Sequence, residues 1–470
     1  MEFDSIERKF GIILSQGWHY RGEGNANLVL SLPKHHKILR IKKCDKPKTI
    51  LEWFLYWILE ILKWDIRDQV LQEKRDIDFY NLVMIPLLGP CYIHYATSIN
   101  TDKTEIKKLD VELSVFRPEE RKHKSLKFGM ASLFMDYAFL PEELELYTTK
   151  GPTYAVEIKP KRGCVLETDR NVENCEFCAN QYLKVRLTIK QLIELTKLFQ
   201  LRNNRIKKLS SYCPLDLFSG NKDRMVKAIK SLILDPQNNF RVFYDGDYCY
   251  GENTCVDNFY SLCSQMFENN SNDLMDDFCE LIIQALLKQF SSNDCISCDE
   301  NSKILFEKDD LPSGCILKRI LALQKLNRLG VLQYYNIMKA LKKDNFVLDD
   351  WNYVEQFLDT IHTRAELCPR CVIMEISNRL NNVSPREYSS LDLVPYLIAA
   401  VANDLSFMVT FKKLQESDDM IKYRTIRINN IEFIVNIGVF DLYPKPIRTI
   451  EKHVKRRLKI EAAYLIKSSK

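Results

Sequence analysis

Apolar and polar positions alternate strictly from Ala155 to Gly163, and a period of two predicts a strand. Val156 and Ile158 then share one face, with Glu157, Lys159 and Lys161 on the other. Pro160 lacks an N–H and Gly163 admits a sharp exit, so the strand is expected at a sheet edge or to end there. Two readings fit this row of charges. One is a solvated edge strand protected by lysine and proline; the other is a polyanion platform on which Glu157 orients another cation. Upstream, strands are predicted at 28–32 and 37–42 and over Ala131 to Phe139. Ile66 to Leu88 reads as a charged helix and connector running into a strand-like Val83 to Gly89. Beyond Lys161 helical spacing takes over, in Tyr182 to Leu201, Lys222 to Leu234, Asp276 to Phe290 and Pro312 to Lys343. Phe407 to Phe411 and Ile431 to Val439 read as apolar strands, and Arg448 to Lys459 as a solvated helix face.

The pattern predicts an α+β protein divided into residues 1–140 and 141–470, with DYAFLPEE (136–143) as a hinge. The second part carries an acidic, flexible, Asn/Ser-rich insert around 264–311. A chain of 470 residues, 46% apolar and 28% charged, can bury a large core. Its net charge of +5 is too mild for wholesale nucleic-acid binding. The most apolar segment, LEWFLYWILEIL (51–62), is short and broken by Glu52 and Glu60, which argues against a membrane span. No charged-then-apolar leader follows Met1, and fifteen scattered cysteines suggest reduced thiols, so an intracellular protein of cytoplasm or nucleus is expected. Three C-x-x-C pairs stand out: Cys175/Cys178, Cys295/Cys298 and Cys368/Cys371. A structural zinc site needs four ligands, and only Cys368/Cys371 has a histidine nearby, His362.

Candidate chemistry lies in four places. RGEGNAN (21–27) sets Gly22 and Gly24 in a turn between strands, as a loop covering nucleotide phosphates would, with Arg40 on the following strand reaching the same phosphates; an ordinary hairpin is the plainer alternative. DPQNNFRVF (235–243) places Asn238, Asn239 and Arg241 at the mouth of a new strand. Asp404 sits where an apolar run meets the strand at 407–411, and Asp441 follows the strand at 431–439. Carboxylates there either cap turns or do chemistry.

Together, RGEGNANLVL (21–30) with KILRI (37–41), EIKPKRG (157–163), SYCPLDLFSG (211–220), DPQNNFRVF, DLS (404–406) and DLYPKP (441–446) resemble the inositol-pentakisphosphate 2-kinase family. The resemblance implies a two-lobed, distantly protein-kinase-like fold with ATP between the lobes. It implies magnesium-dependent transfer of the γ-phosphoryl group to the 2-hydroxyl of inositol 1,3,4,5,6-pentakisphosphate, giving the hexakisphosphate, phytate. On this resemblance Gly22, Glu23, Gly24, Asn25, Ala26, Asn27, Arg40 and Asp136 serve ATP. Asp404 is the catalytic base and Asp441 the magnesium ligand. Lys159, Lys161, Lys184, Asn238, Asn239, Arg241 and Lys445 contact the inositol phosphates, with Glu157 orienting them. FCANQYLK (177–184) lacks the histidine that family members often carry before the lysine. Cys368 and Cys371 are the candidates for the zinc site of plant-like members. The later histidine of that pattern is missing, so a zinc-free or altered site is expected. A monomer without membrane span or specific nucleic-acid partner is expected. The alternative reading is a non-catalytic inositol-phosphate-binding scaffold on a kinase-like fold, which would not need both Asp404 and Asp441.

Overall fold

The computed structural model describes residues 10–47, 49–61, 64–166, 175–183, 209–268, 273–290, 310–344, 348–380, 384, 387–415 and 419–468. Two antiparallel six-stranded sheets organise them. The first contains β1 (His19–Glu23), β2 (Asn27–Leu32), β3 (Lys37–Asp45), β4 (Thr97–Thr101), β5 (Lys124–Leu126) and β6 (Gly129–Met135). Its order is β1-β2-β3-β6-β4, with the short β5 on the far end of β3. Alternate residues of β2 and β3, Leu28, Leu30, Leu39 and Ile41, are fully buried against Ile106 and Leu109 of the helix Lys103–Leu113. That leaves Arg40 and Lys42 together on the opposite face of β3. The second sheet contains β7 (Tyr154–Ile158), β8 (Phe240–Tyr244), β9 (Asp247–Tyr250), β10 (Ser406–Lys413), β11 (Thr425–Ile428) and β12 (Ile431–Phe440). Its order is β11-β12-β10-β7-β8-β9. The mixed composition with antiparallel sheets agrees with the α+β expectation.

Several elements fall where the residue pattern puts them. The helix α2 (Lys222–Leu234) starts at Asn221, whose side chain accepts the Arg224 N–H at 3.1 Å. The helix α3 (Leu274–Leu287) lies within the predicted acidic insert. It buries Phe278, Cys279, Leu281, Ile282 and Leu286, so this part of 264–311 is core. Two expectations change. Val83 to Gly89 is not a strand: after the helix α1 (Trp64–Phe79) the chain continues through a π-turn, Tyr80–Met84, into the helix Ile85–Leu88. A short apolar run reads the same in either state, and here the preceding helix carries it on. The charged strand β7 is also not an edge, since β10 and β8 pair with its two sides, but it does end early: it stops at Ile158, so Pro160 stands beyond it and Lys159 to Gly163 are not part of the strand. All five of its residues are buried, Glu157 included.

The connector after β6 is seated on the second sheet through Tyr137. Its hydroxyl accepts the His94 N–H at 2.8 Å, and its carbonyl accepts the Thr410 hydroxyl. Its ring lies over Gly438 of β12, where an added Cβ would fall 2.0 Å from ring carbons. Gly438→Ala is therefore expected to destabilise the protein by about 1–3 kcal/mol through overpacking. Chemical denaturation should show a lower midpoint at unchanged slope, and an unchanged midpoint would disprove the contact's importance.

Candidate active site

Antiparallel pairing brings four strand ends of the second sheet to one edge. Ser406 opens β10 opposite Phe440, the last residue of β12, while Phe407 faces Ile158, the last of β7. Ile158 in turn faces Phe240, the first of β8. The residues just beyond these ends therefore gather: Asp404 before β10, Asp441 after β12, Lys159 and Lys161 after β7, and Asn238 and Asn239 before β8. Asp404 sits in the tight turn that follows the buried helix α4 (Val394–Ala402), and its N–H donates to Val401 O at 3.0 Å. Asp441 adopts φ +64°, the left-handed conformation that Asp tolerates better than most residues.

The charges form two connected groups. In the first, signs alternate in a chain: Arg40 to Asp441 at 3.5 Å, Asp441 to Lys159 at 3.6 Å, Lys159 to Glu157 at 3.7 Å and Glu157 to Arg241 at 3.3 Å. Arg40 belongs to the first sheet and the other four to the second, so Asp441 is where the two sheets meet electrostatically. Ser406 Oγ donates to the Asp441 carboxylate at 3.3 Å, and the Arg40 guanidinium lies 4.1 Å from the Tyr443 ring centroid. In the second group Asp404 accepts Lys445 Nζ at 2.8 Å and meets Lys161 at 3.7 Å. Desolvation raises the Asp404 carboxyl, but Lys445, Lys161 and Lys159 together hold it below the ordinary carboxylate value. His453 shares a 2.8 Å hydrogen bond with the Tyr396 hydroxyl, and burial pushes the ring down to about 4, so at pH 7 it is neutral. Asn238 is exposed; Asn239 is buried, its carbonyl accepting the Lys159 N–H at 2.9 Å and its Oδ1 without a hydrogen-bond partner. Lys184 lies outside the described residues.

Opposite this edge stands the glycine turn. A register shift between Tyr20 and Gly22 makes Arg21 the extra residue of a bulge, with Gly22 at φ +148°. Gly24 N–H closes the turn onto Asn27 O at 2.9 Å, and Gly24, Asn25 and Ala26 are exposed. Apart from the adjacent residues, no atom of the described residues lies within 4 Å of a Cβ placed on Gly22 or Gly24, so both leave space over the turn. The Asn27 amide, with its oxygen toward Arg40, accepts from Nε at 3.2 Å and Nη2 at 2.9 Å. The re-aimed Arg21 reaches Asp136 at 2.8 Å; that buried carboxylate also accepts the Ser31 hydroxyl at 2.8 Å and the Ala138 N–H at 3.1 Å. Glu23 points the other way, into a buried group with Lys43 and with Arg117 at 3.0 Å. Its side chain is thus committed inside the first sheet.

A family model described as inositol-pentakisphosphate 2-kinase matches residues 20–457. The chain belongs to the inositol-pentakisphosphate 2-kinase family, a family of kinases. An inositol-pentakisphosphate 2-kinase of Danio rerio is 26% identical over 523 residues, covering 99% of this chain and 95% of that protein. One of Arabidopsis thaliana is 26% identical over 467 residues, covering 95% and 93%. One of Oryza sativa subsp. indica is 25% identical over 496 residues, covering 96% and 95%.

Beyond the family motifs, the structure adds residues that sequence reasoning missed. Lys42, on the same face of β3 as Arg40, pairs with Glu73 at 2.9 Å and Asp76 at 3.0 Å, both on α1. The spacing of Arg40 and Lys42 signalled a shared face, but nothing local named the helical partners. Gln324, fully buried, donates to Lys161 O at 2.9 Å and Ala402 O at 3.0 Å and accepts the Gly163 N–H at 2.8 Å. It ties the loop of Lys161 to the helix end just before Asp404. Tyr212, also fully buried, donates to Pro160 O at 2.7 Å from the other side. A lone glutamine at a helix end carries no sequence signal for such a role. Among the described residues no helix is long and apolar enough to cross a membrane.

Proposed function

We propose that the protein is an ATP- and magnesium-dependent kinase that phosphorylates the 2-hydroxyl of inositol 1,3,4,5,6-pentakisphosphate to give the hexakisphosphate. The single observation that carries this reading is the alternating charge chain running from Arg40 through Asp441 and Lys159 to Glu157 and Arg241. Most of its contacts are 3.5–3.7 Å long, so these cations are held in place without being locked into short pairs. A substrate with five phosphates is the ligand that such loosely held lysines and arginines suit.

In this reading residues 1–140 and 141–470 are two lobes of a distantly protein-kinase-like fold, one built on each sheet. The turn from Gly22 to Asn27, exposed at Gly24, Asn25 and Ala26, together with Arg40, faces the ATP phosphates, while the Glu23 side chain supports the turn from beneath. Asp136 fixes the end of β6 beside that turn through Arg21 and Ser31, so its contribution to ATP binding is to hold the connector. Lys159, Lys161, Lys445 and Arg241 bind substrate phosphates, joined by Asn238, Asn239 and Lys184. Asp404 receives the proton of the attacking hydroxyl. The Asp441 carboxylate is 35% exposed, with the Ser406 hydroxyl at 3.3 Å and Arg40 and Lys159 at 3.5 and 3.6 Å, which fits a single-carboxylate magnesium site completed by phosphate oxygens. Bound there, magnesium would neutralise charge on the transferring phosphates. Glu157, buried beneath the cations, pairs with both Lys159 and Arg241 and orients them.

Labelled ATP, magnesium and inositol 1,3,4,5,6-pentakisphosphate should yield labelled hexakisphosphate with the wild type and none above background with Asp441→Ala. Tight pentakisphosphate binding by calorimetry without any transfer would overturn the enzymatic reading in favour of a scaffold.

A further inference from the structure

Three neighbours hold the Arg40 guanidinium. Nε and Nη2 donate to the Asn27 amide oxygen at 3.2 and 2.9 Å, and Nη1 meets Asp441 at 3.5 Å. The guanidinium carbon lies over the Tyr443 ring, 4.1 Å from its centroid. Two of these supports come from one loop of the second sheet, since Tyr443 stands two residues beyond Asp441. That ring is itself fixed. Leu442 and Pro444 on either side of it are buried. Phe134 of β6 meets Tyr443 edge-on with centroids 6.0 Å apart, and Tyr80 meets Phe134 in the same way at 5.2 Å. Two residues further on, the Lys445 carbonyl accepts the hydroxyl of the buried Tyr353 at 2.7 Å. Ser132, which faces Arg40 across β3 and β6, donates to the buried Glu73 carboxylate and has its Oγ 3.5 Å from the Tyr443 hydroxyl. This last distance is long for an O–H···O bond, so Tyr443 supports Arg40 through its ring and not through its hydroxyl.

Resting on the reading of Arg40 as an ATP-phosphate ligand, we propose that Tyr443 is a positioning residue whose ring fixes where the Arg40 guanidinium stands. Arginine recognises phosphate through a planar fork whose N–H groups must point along the oxygens. Its side chain has several rotatable bonds, so an unsupported guanidinium samples many orientations, and that freedom is lost on binding. An aromatic face restrains the cation beforehand without occupying N–H donors, whereas a second carboxylate would occupy the groups that the phosphate needs. The Arg40 side chain stays 20% exposed, so part of it remains open to a ligand. Arg40 belongs to β3 and Tyr443 to the segment after β12, so the support exists only where the two sheets come together. Asp441 is carried on the same segment. One short stretch of chain therefore sets the nucleotide-side cation and the magnesium carboxylate of the proposed reaction against each other.

The test is ATP binding to the full chain by calorimetry, alongside steady-state kinetics with magnesium and inositol 1,3,4,5,6-pentakisphosphate. Tyr443→Leu is expected to weaken ATP binding roughly three- to thirty-fold, the span from exposed to desolvated cation–π contacts. The KM for pentakisphosphate and the magnesium dependence should stay at their wild-type values, which a loosened Asp441–Lys445 segment would not allow. Tyr443→Phe keeps the ring and should restore ATP affinity. With Arg40→Ala already in place there is no guanidinium to position, so Tyr443→Leu should add no further loss. Phenylalanines of increasing ring fluorination at position 443 keep the shape while weakening the negative face, so ATP affinity should fall stepwise even if Tyr443→Leu does not fold. A wild type that binds no ATP would overturn the nucleotide reading and the proposal with it. A wild type that binds ATP, with Tyr443→Leu or the fluorinated series binding it equally well, would overturn the positioning role alone. So would equal weakening of ATP, magnesium and pentakisphosphate, no recovery in Tyr443→Phe, or a full effect of Tyr443→Leu in the Arg40→Ala background.

Discussion

Asp404→Asn is expected to lower turnover by roughly a hundred- to ten-thousand-fold, the span a positioned general base contributes. ATP binding should persist, and pentakisphosphate should bind at least as tightly as to the wild type. The reason is electrostatic: Asp404 neutralises Lys445 at 2.8 Å and Lys161 at 3.7 Å, and without its charge both lysines face the substrate phosphates unopposed. Turnover and affinity are thus expected to move in opposite senses, which a general loosening of the fold would not produce. Single-turnover phosphoryl transfer alongside calorimetry separates the two, and retained turnover would remove Asp404 from the base role. The same lysines fix the pH dependence. Because they hold the Asp404 carboxyl below the ordinary value, the acid limb of kcat/KM for the free enzyme should fall below that value.

Glu23→Ala is expected to cost about 3–5 kcal/mol of stability, the penalty for removing one partner of a buried ion pair. The Glu23, Lys43 and Arg117 side chains are exposed by only 1%, 0% and 2%, so truncation takes a carboxylate from two cations that have little water to solvate them. Arg117 keeps Asp110 at 2.8 Å, whereas among the described residues Lys43 has no second carboxylate contact. Glu23→Leu with Lys43→Met should recover part of the loss, since an apolar pair leaves no lysine uncompensated. Urea titration of the three proteins measures this; an unchanged midpoint for Glu23→Ala would show that the network contributes nothing. Burial raises the Glu23 carboxyl, but hydrogen bonds from Arg117 and Lys43 outweigh it and leave the value lowered. A carboxyl lowered by folding stabilises above its unfolded value, and that contribution is lost as pH falls through the folded one. Wild type should therefore lose more stability than the Glu23→Leu/Lys43→Met protein as pH drops below the ordinary glutamate range.

Much of the architecture can be read along the chain wherever a period and a cap act locally. Lys222 to Leu234 combines an Asn cap with a one-sided apolar stripe, and the helix has those bounds. The alternation read from Ala155 to Gly163 does give a strand, but only over Tyr154–Ile158; beyond Pro160 the chain turns, with Lys161 at φ +60°. The alternation also placed Glu157 and Lys159 together, and the two side chains do meet. It could not tell an edge from a centre, since that depends on β10 and β8, which arrive from more than 240 and about 80 residues away. Glu157 is consequently buried under the cations and not displayed to solvent. Val83 to Gly89 shows the same boundary from the other side: its apolar run suits either state, and the helix already under way decided it.

The candidate site divides along the same line. Charge type, strand face and the turn chemistry around Gly22, Asp404 and Asp441 follow from the sequence by itself, because backbone period and side-chain identity act over a few residues. Only the tertiary structure decided that Arg40 meets Asp441 from the other sheet, that Lys42 meets Glu73, and that Gln324 pins the Lys161 loop. Ion pairs and hydrogen bonds depend on separation through space, and the packing of two sheets sets that separation for residues as much as 401 positions apart in the chain.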